Sequence, residues 1–394
     1  MRAVKFGSLF EFIRNGMNVK QDKSGDGLPI TRIETISNSY IDLQRVGFAG
    51  LKEGDCSDWL LTPGDILFSH INSVEHIGKC AVYEGVPEKL VHGMNLLCLR
   101  PDSKQLTPNF AKYLIRSQDF RIKISSYINK AVNQASISIG NLKGIHVTVP
   151  ELSKQRRIAA ILDKADALRA KRREALEQLD RLAQSVFVEM FGDTASNPQG
   201  WPRKPLAELI AKDDSINYGV VQPGDDVDDG VPLVRVGDLI DGQVRHENLK
   251  RIAPEIERTY QRSRLKGDEI LVSCVGSVGV VALASERERG FNIARAVARI
   301  RVGDEVVREF LATQLQTTAV QRYFTQELRT VSQPTLNIKQ IAETQLICPP
   351  LSMQRLFADR LSAVRETRKR LVASSELTES MFHSLQHRAF RGDL

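Results

Sequence analysis

The nearest approach to a catalytic motif in this chain is Asp102-Ser103-Lys104, an acid and a base bracketing one serine. In a nuclease such residues would hold a metal ion and steer a water, but no Pro-Asp partner precedes them, and a solvated loop is the simpler reading. Phosphate-binding fingerprints fail as well. "HIGKCA" (76–81) has the Gly-Lys pair but then Cys80, and position 73 is a serine where the P-loop needs its first glycine. "VGSVGV" (275–280) keeps only a GxxG spacing and reads as a turn between strands. The chain has no HExxH and no clustered Cys/His set of zinc-ligand spacing. DNA amino-methyltransferases carry an Asn/Asp/Ser-Pro-Pro-Tyr/Phe loop, whereas the sole Pro-Pro here, Pro349-Pro350, lies between Cys348 and Leu351. The expectation is a chain with no active site, no metal and no cofactor of its own.

Another chemistry is open to it. Base edges are read by Arg, Lys, Asn, Gln and Ser/Thr, and phosphates are held by Lys, Arg and backbone amides. Polar residues in loop-like places recur at matching positions in the two halves of the chain. The first half offers Arg32, His70, Asn72, Ser73, Asn133, Gln134, Ser136 and Lys143. The second offers Arg235, Ser273, Ser277, Arg329, Ser332, Gln333, Thr335, Asn337 and Lys339. Residues kept in both copies, such as Gln134 and Gln333, fit scaffold or phosphate contacts. Divergent ones, such as His70, Asn72 and Arg329, fit sequence selectivity better. "RAKRRE" (169–174) is a charged helix face, suited to phosphate, to a partner protein or to solvent.

The elements that would carry these residues are written twice. Pro150 and Pro349 are 349 − 150 = 199 apart, and the same lag pairs Leu152/Leu351, Gln155/Gln354, Arg156/Arg355 and Phe191/Phe390. Upstream the lag drifts: "GLPITRIETIS" (27–37) meets "GVPLVRVGDLI" (230–240) and "PGDILFSHINS" meets "KGDEILVSCVGS". The order of landmarks is the same throughout, which is the signature of a tandem duplication. "LPITRIETI", "GDILFS" and "GIHVTVP" read as strands. "TPNFAKYLIRSQDFRIKISSYI" and "VVREFLATQLQTTAVQRYFTQEL" read as helices.

Each globular part is followed by a long apolar stripe at steps of three and four. The first runs through Ile161, Ala165, Leu168, Ala175, Leu179, Leu182 and Val186, with Arg172 intruding. The second, weaker, runs through Val364, Thr367, Leu371, Ser374, Thr378, Met381 and Leu385. Helices of roughly 35 residues would be about 50 Å long, and an intramolecular antiparallel coiled coil is the simplest way to cover both stripes. The predicted fold is therefore α+β, a duplication of two α/β domains each with a long helix. The domains span 1–150 and 201–349, the helices 151–192 and 350–394, with residues 193–200 ("DTASNPQG") linking the halves.

Bulk properties agree with such a protein. Net charge is +7 and the pI about 9.1, which suits a nucleic-acid partner. Five widely spaced cysteines argue against a disulfide scaffold. Without a signal-peptide pattern at "MRAVKFGSLFEFIRNG" or a long apolar run, a cytoplasmic location with no membrane contact is expected.

The two-unit layout, the openings "PELSKQRRIAAIL" and "PPLSMQRLFADRL", and the endings "FGD" and "FRGD" resemble the specificity subunit of Type I restriction–modification enzymes. "QASISIGNLKGIHVTVP" (134–150) and "SQPTLNIKQIAETQLICPP" (332–350) are similar to the ends of that family's target-recognition domains. The resemblance implies a non-catalytic subunit that binds double-stranded DNA, each domain reading half of a bipartite, asymmetric site. It implies partners: two copies of a methyltransferase subunit docked on the helices, and motor–nuclease subunits. S-adenosylmethionine, ATP and magnesium would belong to those partners. A specificity chain of another bipartite-site modification system and a structural adaptor that never touches DNA are the competing expectations.

Overall fold

The computed structural model describes residues 1–130, 134–330 and 333–394. The chain divides into two compact units, Met1–Arg173 with Ala373–Leu394, and Glu174–Val372. Both boundaries fall inside long helices, Leu152–Phe191 and Leu351–Arg391. Each helix thus gives its first half to one unit and its second half to the other.

In the first unit a four-stranded antiparallel sheet runs in the order Phe10–Asn15, Leu96–Pro101, Ile66–Ser69, Cys80–Val82. The second unit repeats it with Asn217–Tyr218, Val297–Ile300, Ile270–Ser273 and Val281–Leu283. The strands Ile66–Ser69 (ILFS) and Ile270–Ser273 (ILVS) are rich in β-branched residues and leucine, and both are buried throughout. In each unit an opening strand pairs with the strand just before the long helix: Arg2–Lys5 with His146–Val149, and Arg203–Pro205 with Gln345–Ile347. This closes the domain on itself and fixes where the helix departs.

The predicted helices are each broken in two. Pro108–Arg116 and Gln118–Ser125 meet at Ser117, whose extended ψ of 150° ends one helix while its Oγ accepts the Phe120 N–H and starts the next. Arg308–Leu315 and Thr318–Gln326 repeat the pattern. The pattern of "LPITRIETI" (28–36) predicts a strand, yet Ile33–Ile36 forms a 3-10 turn. Thr35 Oγ1 accepts the Arg32 N–H at 2.8 Å and donates to Arg45 O, so a local side-chain bond outcompetes the ladder.

The long helices pair antiparallel within each unit. In the first, Lys154 Nζ donates to Gly392 O, Arg169 Nε to Glu379 Oε2 at 2.7 Å, and Arg172 to Ser374 O. In the second, Arg368 Nε donates to Asp180 Oδ1 at 2.7 Å, and Phe187 and Phe191 pack on Phe357. The packing stripe differs from the sequence expectation. Ala165, Val186 and Leu385 do pack against the cores, and Ile161, Ala175, Leu179, Val364 and Leu371 are half-buried. Leu168, Leu182 and Met381 are exposed, and their neighbours Arg169, Ala183 and Phe382 turn inward instead.

Two physical causes account for this. A strict heptad drifts about 20° per repeat around a straight helix, so one register cannot serve a 40-residue element. In addition, both ends of each helix pack into the cores, the starts through Ile158, Leu162, Phe357 and Leu361 and the ends through Phe187, Phe191, Phe382 and Ala389, while the middle is held by polar contacts. Ser374 and Thr378, which weaken the predicted stripe, are part of that polar middle: Thr378 is buried and donates to Ser374 O at 2.9 Å.

Candidate nucleic-acid interface

Strand pairing gathers seven of the candidate DNA readers, four in the first unit and three in the second. In the first, Ile71–Asn72 pairs with Ala135–Ser136, which also pairs with Asn129–Lys130. The Ile137 N–H donates to His70 O at 2.9 Å and locks the loop 70–76 against this ribbon. Asn72, Ser73, Gln134 and Ser136 therefore sit together on exposed or half-exposed backbone. In the second unit Arg329–Thr330 pairs with Pro334–Thr335, and Val275 bridges to Thr335. Here Leu336 N donates to Cys274 O at 2.9 Å, the counterpart of the Ile137–His70 bond at lags of 199 and 204. Ser277, Gln333 and Thr335 are brought together in the same way, with Ser277 and Gln333 exposed. Asn133 and Ser332 lie outside the described residues, and of Arg329 only the backbone is described.

Other candidates have structural employment. His70 and Ser273 are buried and present nothing to a groove. Ser273 is the last residue of its central strand and His70 follows the last residue of the other, so both lie at the buried end of a fully buried strand. Ser273 Oγ accepts the Val280 N–H at 2.8 Å and donates to Ser277 O, which shapes the loop that exposes Ser277. Arg32 pairs with Glu34 at 2.8 Å, and Arg235 grips Asp238 and Asn248 O, each at 3.1 Å. These two arginines hold equivalent turns, at a lag of 235 − 32 = 203. Asn337 opens the helix Ile338–Ala342, its N–H caught by Gln340 Oε1 at 2.8 Å. Lys143 and Lys339 are exposed on equivalent short helices, and Lys339 pairs with Glu343 at 3.8 Å.

The ribbon adds two residues that composition did not single out. Asn129 and Lys130 are exposed strand residues paired with the Ala135–Ser136 segment, and Lys130 has no carboxylate within ion-pair distance among the described residues. Lys130 is the counterpart of Arg329 at 329 − 130 = 199, so the duplication itself was the available signal. Asp102, by contrast, accepts from Gln105 Nε2 at 2.7 Å and from the Lys104 N–H at 2.9 Å. Those bonds hold its carboxyl below the usual carboxylate range and tie it to a turn. Among the described residues no group of three or more His, Cys, Asp or Glu could hold a metal, and no helix is long and apolar enough to cross a membrane.

Two buried histidines of the first unit, His70 and His92, carry an acid sensitivity. Burial lowers His70 to about 4 and His92 to about 4. His92 Nε2 donates to Leu96 O at 2.9 Å, and the Nδ1 atoms of both rings have no partner among the described residues. Both rings fold neutral, whereas the unfolded chain takes up protons below about 6.5. Stability of this unit is therefore full above pH 6.5 and is lost as pH falls toward 4, by up to roughly 3 kcal/mol per histidine. Hydrogen exchange at pH 7 and pH 5, corrected for intrinsic rates, is expected to lose protection in the first unit. Equal loss in both units would contradict this.

Comparison with known proteins matches the geometry. The profile of the Type I restriction modification DNA specificity domain matches residues 1–178 and again 203–373. A Methanocaldococcus jannaschii protein named for the specificity subunit of the type I restriction enzyme MjaX is 32% identical over 376 residues, spanning 90% of this chain and 84% of that one. The Escherichia coli EcoBI specificity subunit is 30% identical over 296 residues, 67% of this chain and 61% of that one. Among solved structures, a chain from a type I restriction–modification assembly is similar with a TM-score of 0.60 at 16% identity, covering 100% of this chain and 98% of that one. The type I S subunit of Mycoplasma genitalium follows with 0.58 at 14%, over 99% and 96%. A duplicated fold that twice matches one recognition domain leaves one conclusion: the chain belongs to the type I restriction–modification DNA specificity family and is a specificity subunit with two recognition domains.

Proposed function

We propose that the two ribbons each read one half of a bipartite, asymmetric DNA site, and that this chain performs no chemistry itself. The observation that carries the reading is the repeated juxtaposition of a strand-end loop with a pair of short strands, 70–76 with Asn129–Lys130 and Ala135–Ser136, and 273–277 with Arg329–Thr330 and Pro334–Thr335. Two-stranded ribbons fit the major groove, where donor and acceptor patterns distinguish all four base pairs. Divergent side chains on the two ribbons make the half-sites different. The paired helices hold the reading units and dock two copies of a methyltransferase subunit, with motor–nuclease subunits joining for restriction. S-adenosylmethionine, ATP and magnesium act in those partners.

The test is the methylation pattern of the host DNA at single-base resolution, with and without this gene. Loss of one split motif, two short blocks around a fixed gap, is the expected result. Purified chain mixed with DNA and labelled S-adenosylmethionine is expected to transfer no methyl group. An unchanged pattern in a host that expresses the chain would overturn the reading.

A further inference from the structure

The duplication allows one unit to serve as the reference for the other, and they differ at one place beside the long helices. In the first unit the helix Pro108–Arg116 is bound to the long helix by a dense set of contacts. Tyr113 donates to Asp163 Oδ1 at 2.7 Å, Lys112 pairs with Asp163 at 3.0 Å, and Arg116 pairs with Asp166 at 3.4 Å. Phe382 fills the space beside Tyr113, ring centroids 6.2 Å apart, and the Arg169 guanidinium lies 4.1 Å from the Phe382 ring centre. The Arg169–Glu379 ion pair closes the arrangement.

The second unit keeps the frame and loses the filling. Gln155 Oε1 accepts the Thr107 N–H and Gln354 Oε1 accepts the Val307 N–H, which sets the lag at 307 − 107 = 200 for these shorter helices. The Arg368–Asp180 pair stands where Arg169–Glu379 stands, since 368 − 169 and 379 − 180 are both 199. Tyr113 is replaced by Thr313, Phe382 by Ala183, Arg116 by Gln316 and Asp166 by Arg365. An open cavity of about 800 Å³ results, lined by these residues with an apolar floor of Phe187, Leu361 and Val364.

Its charges are nearly all committed. Asp180 and Asp241 bind Arg368 at 2.7 and 3.3 Å, and Asp193 accepts the Ala195 N–H at 3.0 Å. Arg365 reaches solvent at the cavity mouth but is partly desolvated, which lowers its pKa; Glu309 acts on it only at longer range, and no carboxylate lies within ion-pair distance among the described residues. Among the described residues no aromatic ring lies over Arg368 as Phe382 lies under Arg169. The cavity thus lacks two things its counterpart supplies internally, an aromatic ring and an anion.

We infer that this cavity is a docking pocket for one methyltransferase subunit, which inserts an aromatic side chain flanked by a carboxylate. The ring covers the apolar floor and meets Arg368, and the carboxylate pairs with Arg365. A bare DNA phosphate would satisfy Arg365 but leave the floor wet. The first unit is already filled, so two copies of the methyltransferase are held unequally. This inference rests on the methyltransferase docking proposed above.

The experiment titrates the methyltransferase subunit into full-length chain and follows both binding steps by native mass spectrometry and calorimetry. A183F/T313Y rebuilds the aromatic pair of the first unit, and R365A removes one exposed charge without repacking; thermal melts check that both fold. Each is expected to weaken one of the two steps at least tenfold and leave the other unchanged. Unchanged steps in both variants, or equal weakening of both steps, would overturn the inference while leaving the docking itself intact. Loss of DNA affinity in R365A without any change in methyltransferase binding would assign the cavity to phosphate and likewise overturn it. Failure of the wild-type chain to bind methyltransferase at all would remove the reading beneath the inference.

Discussion

Phe357→Ala is expected to destabilise the second unit by roughly 3–5 kcal/mol, the range for deleting a fully buried aromatic ring. Phe357 is 0% exposed at the start of the second long helix and meets Phe187, Phe191 and Phe310 at centroid distances of 5.4, 5.6 and 6.3 Å. The cluster joins three elements: the end of one long helix, the start of the other and a helix of the recognition domain. Neighbouring rings at those separations cannot close the gap without leaving their rotamers, so much of the cavity would persist. For a unit of this size the loss corresponds to a fall in Tm of about 10 °C or more. Met381→Ala, on an exposed position of the predicted stripe, is expected to change stability by less than about 0.5 kcal/mol. Thermal melts of the two variants decide between the observed packing and the sequence stripe. A large loss at Met381 with none at Phe357 would restore the latter.

The repeated "LSKQR" and "LSMQR" turned out to have a local physical reason. Gln155 and Gln354 are fully buried, and each side chain bonds the carbonyl of the preceding proline and the N–H that opens a recognition-domain helix. An amide that must satisfy both donor and acceptor in a buried joint tolerates no substitute, so the pair stayed visible while the sequences around it diverged. The same logic made the duplication, the paired helices and the ribbon residues legible. Positions that had to meet a partner kept their order, at lags of 199 to 204.

Other features were hidden because tertiary contacts outweighed local pattern. The long helices show apolar residues on more than one face, and only the globular domains decide which face is buried; hence Phe382 packs inward beside exposed Met381. Ser273 and His70 read as polar loop tips but lie under the loops they shape. The second unit also holds a buried cluster with no motif: Arg299 pairs with Asp214 at 2.7 Å and with Glu269 at 3.0 Å. Burial pushes the Asp214 carboxyl up, but the Ser215 N–H and Arg299 outweigh it and hold the group below its ordinary value. Residues 214, 269 and 299 share no spacing rule, so their meeting appears only once the chain is folded.

Independent reading by the two ribbons is the central claim, and substitutions confined to one ribbon test it most directly. Each lost base contact costs about 1–3 kcal/mol of discrimination, so the combined Asn72→Ala, Ser73→Ala and Gln134→Ala changes are expected to erase or relax one block of the methylated motif. Ser277→Ala, Gln333→Ala and Thr335→Ala are expected to do the same to the other block. The decisive measurement is the single-base methylation pattern of hosts carrying each triple variant. The account predicts that one block changes while the other block and the gap between them stay as in the wild type. Both blocks changing together, or neither changing while the folded variants still support methylation, would contradict it.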